Sequence, residues 1–260
     1  MSSLASATQQ TEIFYPSSDG EPLAETSVHV DAIINAVIAL RQYLEGKAAI
    51  VLADQFLYYA QGFPKLRVAP DIMVIFDVPP GPRDNYKTWE EGQVPVVIFE
   101  ITSEGTRKQD TEYKRTLYEQ LDVQEYWLFD PKGEWIAEQL RGYRLTGTEE
   151  YEPITNGRCE PLQLRLEIEG QLIAFYREDT GEKLLAPGEL VQALQQEILA
   201  RQEAETARQE AETARQEAET ARQEAETARQ EAEERAKLAE LQVEQLKARL
   251  KALGLDPDTI

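Results

Sequence analysis

The chain has 260 residues, 42% of them hydrophobic, with 27 basic against 48 acidic side chains and a formal net charge of −21. This length accommodates one or two domains with a real core, while one histidine (His29) and one cysteine (Cys159) exclude an intrachain disulfide and a zinc site built on His and Cys. Any Ser-His-Asp or Cys-His catalysis would run through His29 alone; carboxylates are plentiful enough to ligate a hard cation, and the acidity argues against a general nucleic-acid-binding surface.

The opening segment, MSSLASATQQTE, has neither a basic start nor an apolar stretch, and no run approaches the roughly 18–20 apolar residues of a membrane span. The expectation is a cytoplasmic protein without a membrane segment, disordered over 1–11. A globular domain then covers 12–188. Its first element is an amphipathic helix from His29 to Leu44, with Val30, Ile33, Ile34, Val37, Ile38, Leu40 and Leu44 at three- and four-residue steps. Strand-like segments follow at 49–52 and 55–60. Two strong apolar runs come next, DIMVIFDV (71–78) and VPVVIFEI (94–101), separated by the Pro- and Gly-rich loop 79–93. A helix is expected over about 106–120, a strand over EYWLFD (125–130), and short strands in GEWIAEQL, LQLRLEIEG and QLIAFYRED. This order indicates an α/β or α+β domain around a mixed sheet.

From 189 to 253 no Gly or Pro interrupts the chain, and ARQEAET recurs four times from residue 200, followed by ARQEAEE. Its alanines alternate steps of four and three, the a/d spacing of a coiled coil. Alanine seams bury little, and Glu–Arg pairs one turn apart suit a solvated lone helix equally well. The reading is a homo-oligomeric coiled coil, with a solitary helix or an expanded repeat without dedicated role as alternatives. Gly254 and Pro257 end the helix ahead of the tail 254–260.

Chemistry concentrates on the two apolar runs. If they pair antiparallel with opposed residues summing to 171, Asp71 faces Glu100, Met73 faces Ile98, and both acids lie side by side at one end of a buried sheet. Like charges there repel and raise each other's pKa, and a divalent cation between them removes that penalty. Lys114 is the third member: Asp110, Lys114 and Tyr118 form one helical stripe, beside a second of Tyr113, Leu117 and Leu121. Lysine beside two metal-binding carboxylates can orient a water and offset transition-state charge. The competing reading of Asp110–Lys114 is a surface helix pair.

The ordered set APDIMVIF, VPVVIFEITS, the helix carrying Lys114 and Tyr118, and VQEYWLFDP resembles the Uma-two restriction-endonuclease family of the PD-(D/E)xK nuclease superfamily, over about residues 13–177. The resemblance implies a restriction-endonuclease-like core and a Mg²⁺- or Mn²⁺-dependent endonuclease acting on DNA. It matches Pro70-Asp71 to the PD element, Glu100 to the second acid and Lys114 to a lysine moved onto the following helix. Thr102 stands where the superfamily pattern asks for lysine, and Ser103-Glu104-Gly105-Thr106 replaces the family's Ser-Pro-Ser-Thr. Glu25 is a further acid that the resemblance allows at the site.

Residues outside this set have plainer readings. His29 is a helix or interface residue, Trp127 and Tyr126 are core aromatics, and Trp89 packs in its loop or stacks on a base. Cys159 is inert. The competing function is a catalytically inactive nuclease-fold protein that oligomerises or binds partners through its long helix. Before residue 191 there are 17 basic and 32 acidic residues, a balance of −15, and from 191 onward 10 and 16, a balance of −6. The acidity therefore resides mainly in the globular part, so DNA must meet a local basic patch there.

Overall fold

Helix α1, Ser27–Tyr43, starts where the Thr26 hydroxyl accepts the His29 amide at 3.3 Å, satisfying one of the donors every helix start leaves free. It buries Ala32, Ile33, Ala36, Val37, Ala39 and Leu40. Val30, Ile34 and Ile38 form a neighbouring i, i+4 stripe that stays 40%, 47% and 39% exposed. The broad apolar face expected from the sequence is thus split, with small alanines turned inward in place of Ile34 and Ile38. The computed structural model describes residues 13–20, 25–147 and 150–252. The expected disorder over 1–11 and the helix-ending Gly254 and Pro257 lie outside the described residues.

After α1 come β1 (Ala49–Ala53), β2 (Leu57–Tyr58), β3 (Arg67–Val68), β4 (Ile72–Phe76), β5 (Tyr86–Lys87), α2 (Thr88–Glu91) and β6 (Val97–Ile101). A π-helical segment, Gln109–Lys114, runs into α3 (Arg115–Gln120). Strands β7 (Glu125–Phe129), β8 (Leu140–Leu145), β9 (Tyr151–Ile154), β10 (Arg158–Cys159), β11 (Leu164–Glu169) and β12 (Leu172–Arg177) precede α4 (Pro187–Ala252).

The central sheet has the order β1-β4-β6-β7-β8-β9. Strands β4 and β6 are antiparallel with Ile72 opposite Phe99, Met73 opposite Ile98 and Val74 opposite Val97, the register expected from the sequence. Only β6 and β7 are parallel in this sheet. Parallel neighbours require a crossover, and here it carries the π-helical segment and α3. The sheet is mixed and the fold is α/β, as expected.

Apolar side chains cover both sheet faces. Phe99, Ile101, Trp127 and Phe129 pack with α1 and with Leu164 and Phe175 of the β10–β12 sheet. Met73, Ile75, Ile98, Tyr126 and Leu128 pack with Leu117 and Tyr118 of α3. Gly142 lies opposite Trp127 in the ladder, and a Cβ there would come within 2.6 Å of the indole, so only glycine fits at that position.

Two stretches differ from expectation. Loop 79–93 contains β5 and α2. Most of GEWIAEQL is turn, not strand: the buried Asp130 carboxylate accepts amides of Lys132, Gly133, Trp135 and Ile136 at 3.2, 3.0, 2.5 and 2.9 Å, drawing the chain around itself.

The chain divides into two units, Met1–Val191 and Gln192–Ile260. Helix α4 buries none of its described side chains. Among the described residues no helix is long and apolar enough to cross a membrane.

Candidate active site

Four carboxylates gather at one end of the central sheet. The register aligns Ala53 of β1, Ile72 of β4, Phe99 of β6 and Trp127 of β7 in one row. Asp54 follows β1, Asp71 precedes β4, Glu100 stands near the end of β6, and Asp130 follows β7. Antiparallel β1–β4 and β4–β6 and parallel β6–β7 therefore bring four separate stretches of sequence to the same edge. Asp71 and Glu100 interlock there: Asp71 Oδ2 accepts the Ile101 amide at 2.6 Å, and the Asp71 amide points at Glu100 Oε2 at 3.4 Å.

Glu100 alternates with Phe99 and Ile101, so it faces the layer of the crossover helix. Lys114 Nζ donates to Glu100 Oε2 at 2.7 Å, and Tyr118 Oη to Glu100 Oε1 at 2.7 Å. Lys114 Nζ also lies 3.0 Å from Asp110 Oδ1. The structure thus brings Asp71, Glu100 and Lys114 together, and Asp110–Lys114 is a buried pair, not a surface one. The π turn shapes this. Its wider winding leaves Tyr113 51% exposed, against the expected stripe of Tyr113, Leu117 and Leu121, and turns Asp110 and Lys114 inward. Wide turns of this kind concentrate at functional positions.

One ammonium serves three carboxylates, and the proton affinities follow. Burial pushes the Glu100 carboxyl up to about 8, with Lys114 opposing and Asp71 and Asp110 adding to the rise. Burial likewise lifts Asp71 to about 7 against the pull of Lys114 and the Ile101 amide. For Lys114, burial works against the charge, but Glu100, Asp110 and Asp71 together outweigh it and hold the ammonium charged above its ordinary range. Burial and the neighbouring Glu100 keep the Tyr118 hydroxyl protonated.

Three further residues surround this cluster. His29, only 5% exposed, places Nε2 3.8 Å from Asp71 Oδ2 and Nδ1 3.6 Å from Glu25 Oε2. From sequence it reads only as a helix or interface residue; its position four residues after Glu25, in the first turn of α1, is the available signal. Asp54 sits at φ 51°, its amide on the carbonyls of Pro70 and Asp71 at 3.2 and 3.3 Å, and burial raises its carboxyl. Nothing in the sequence marked it. Thr102, which stands where the sequence resemblance asks for lysine, is buried with Oγ1 lacking a hydrogen-bond partner. A cavity of about 530 Å³ opens beside these residues, lined by Glu25, His29, Thr102, Thr106, Asp130 and Trp135 among others.

Other residues singled out by the sequence lie apart from the acid cluster. Trp89 packs against Tyr15, ring centroids 5.1 Å apart. Cys159 is buried, and burial together with Glu125 pushes its thiol well up, so it is no nucleophile. Among the described residues no three His, Cys, Asp or Glu side chains converge as a ready-made metal cage.

No curated protein matches the chain. A crystal structure of "a putative nuclease belonging to DUF820" from Anabaena variabilis ATCC 29413 is similar over 53% of this chain and 72% of its own, at 16% identity and a TM-score of 0.39. The Uma2 family model, described as "Putative restriction endonuclease", matches residues 4–175. That span is well over half of the chain and includes Asp71, Glu100 and Lys114, and the chain belongs to the Uma2 family.

Proposed function

We propose that this protein is a Mg²⁺- or Mn²⁺-dependent endonuclease that hydrolyses DNA phosphodiester bonds. The observation that carries the reading is the buried Lys114 ammonium, 2.7 Å from a Glu100 carboxylate that is itself locked against Asp71. Asp71 and Glu100 would hold the cation. The donor set fits: both are hard oxygen ligands, and Mg²⁺ is usually bound by one or two carboxylates with water and substrate completing its shell. A carboxylate offers about four lone-pair sites. On Glu100, Lys114, Tyr118 and the Asp71 amide address three, and on Asp71 the Ile101 amide takes Oδ2 alone. A cation there supplies charge for the phosphate oxygens and acidifies water.

The chain's own groups divide the remaining work. Tyr118 fixes the Glu100 carboxylate in orientation, and Asp110 fixes Lys114. The ammonium orients the attacking water and offsets negative charge as it grows on the phosphoryl oxygens. Purified protein should nick plasmid DNA with Mg²⁺ or Mn²⁺, and Asp71→Ala, Glu100→Gln and Lys114→Ala should each end it. Cutting that survives all three changes sinks the assignment.

We further propose that the chain self-associates through α4, as two parallel strands. Taking Ala204 as position a, each repeat puts Ala at a and d, Arg at e and Glu at g. Glu203, Glu210, Glu217 and Glu224 have no Lys or Arg three or four residues away on their own helix. A parallel partner would set Arg208, Arg215, Arg222 and Arg229 beside them, whereas antiparallel packing opposes Glu to Glu and Arg to Arg. Sedimentation of the full chain against one ending at Gly188 tests this, and equal association states would remove the role. Association without metal-dependent cutting would favour a catalytically inactive interaction protein.

A further inference from the structure

We propose that the cavity beside the acid cluster receives one unpaired nucleobase of the substrate strand, with Trp135 as its stacking surface. This rests on the nuclease reading and specifies the substrate as locally single-stranded. Its location supports it: His29 lines the cavity and also faces Asp71 at 3.8 Å, so a group seated there adjoins the proposed site of hydrolysis.

The wall is chemically prepared for a neutral polar guest. Thr102 Oγ1 is buried without a hydrogen-bond partner, and His29 Nδ1, 3.6 Å from Glu25 Oε2, makes no hydrogen bond either, although both residues line an open space. Folded proteins seldom leave such groups unsatisfied, and a base edge offers both donors and acceptors. Glu25, Glu104 and Glu134 line the cavity with Lys132 as the basic residue among them, an excess that repels phosphate and accepts hydrogen bonds from amino groups. The volume, about 530 Å³, falls in the range of small-molecule sites and is too small for a duplex.

The stacking surface is held in advance. Asp130 is almost fully buried, and its carboxylate is spent on the amides of Lys132, Gly133, Trp135 and Ile136. That fixes the backbone that presents the indole, which remains 37% exposed. Arg107 lies over the same ring, its guanidinium 4.4 Å from the centroid, so a cation stands next to the proposed stacking surface. An aromatic platform with a neighbouring guanidinium is how proteins bind unpaired bases without reading sequence.

The test is a fluorescence titration of the full chain with a short single-stranded oligodeoxynucleotide and with its duplex, in Ca²⁺. Trp127 is buried and Trp89 is packed against Tyr15, so quenching reports on Trp135. The single strand should quench emission and bind at least about fivefold more tightly than the duplex; Trp135→Ala and the isosteric Thr102→Val should each weaken it by about tenfold, leaving duplex binding unchanged. Equal affinity for both forms, or single-strand binding indifferent to both variants, overturns the inference. If cutting depends on Glu100 while binding ignores Trp135 and Thr102, the recess falls and the nuclease stands. If Trp135-dependent binding persists in a protein that never cuts, the recess stands and the nuclease falls.

Discussion

Two ion pairs with the same sequence spacing behave as opposites. Asp110 and Lys114 stand four residues apart, as do Arg229 and Glu233 on α4. The first pair is 1% and 9% exposed at its side chains, and the second 59% and 81% at its acid and base. On α4 water screens each charge, so the pair contributes little. At the sheet end Lys114 must answer Glu100 and Asp71 as well, and their proton affinities climb toward neutrality. Burial, not spacing, turns a helix ion pair into chemistry.

The comparison breaks most visibly in activity. If the sheet-end pair carries the reaction, Lys114→Ala lowers the rate by at least about 10²–10³-fold, the cost of losing one charge-stabilising donor and enough to end visible plasmid nicking; single-turnover cleavage measures it, and an unchanged rate returns Lys114 to a structural role. Next comes stability. Lys114→Ala should cost about 3–5 kcal/mol in urea unfolding at pH 8, the penalty of leaving buried charges unpaired. The loss shrinks at pH 5.5, where the carboxyls take up protons.

A smaller effect concerns pH in metal-free protein. Asp71 at about 7 and Glu100 at about 8 bind protons more tightly folded than unfolded, where carboxyls titrate near about 4. The native state thus holds extra protons between those values, and stability is full at about pH 4 and falls as pH rises through about 8. Saturating Mg²⁺ should flatten that decline, because binding needs the carboxylates deprotonated. Asp71→Asn should stabilise the metal-free chain by about 0.5–2 kcal/mol at pH 8 while ending cleavage, the usual exchange of function for stability. The smallest effect is at the solvated pair: Arg229→Ala should lower the thermal midpoint of the chain only slightly, since it removes one exposed pair with Glu233 and one exposed partner for Glu224 across the proposed seam; a loss as large as that of Lys114→Ala would give the solvated pair the weight of the buried one.

How far the sequence reaches into this site follows from the same contrast. The β4–β6 register was legible because two apolar runs flank one loop, and period-two alternation lets a single sum decide which residues oppose. Asp71 beside Glu100 came with it. Lys114 was legible as a stripe, but whether that stripe met water or sheet was not, since the π turn that rotates it has no sequence signal. His29 and Asp54 arrive through packing between α1, β1 and β4, contacts that no local pattern encodes. GEWIAEQL mimics a strand because its alternation belongs to a turn wound around Asp130. Two isoleucines of α1 misled for a related reason: alanines share the buried face with Ile33, Val37 and Leu40, and Ile34 and Ile38 stay outside.

The π turn over Gln109–Lys114 also bears on how this site can be found elsewhere. A π turn holds one residue more than the α turn it replaces. Removing a residue there would let the chain wind as α-helix while α3 and the lysine just ahead of it kept their seat on the sheet. The lysine would then follow the acid at one residue less than the present separation of 14. The distance along the chain from acid to lysine is therefore set by helix winding and not by the reaction. A fixed-spacing pattern will pass over relatives whose sites are the same in space, and alignment of such chains should place its gap between the sheet and α3.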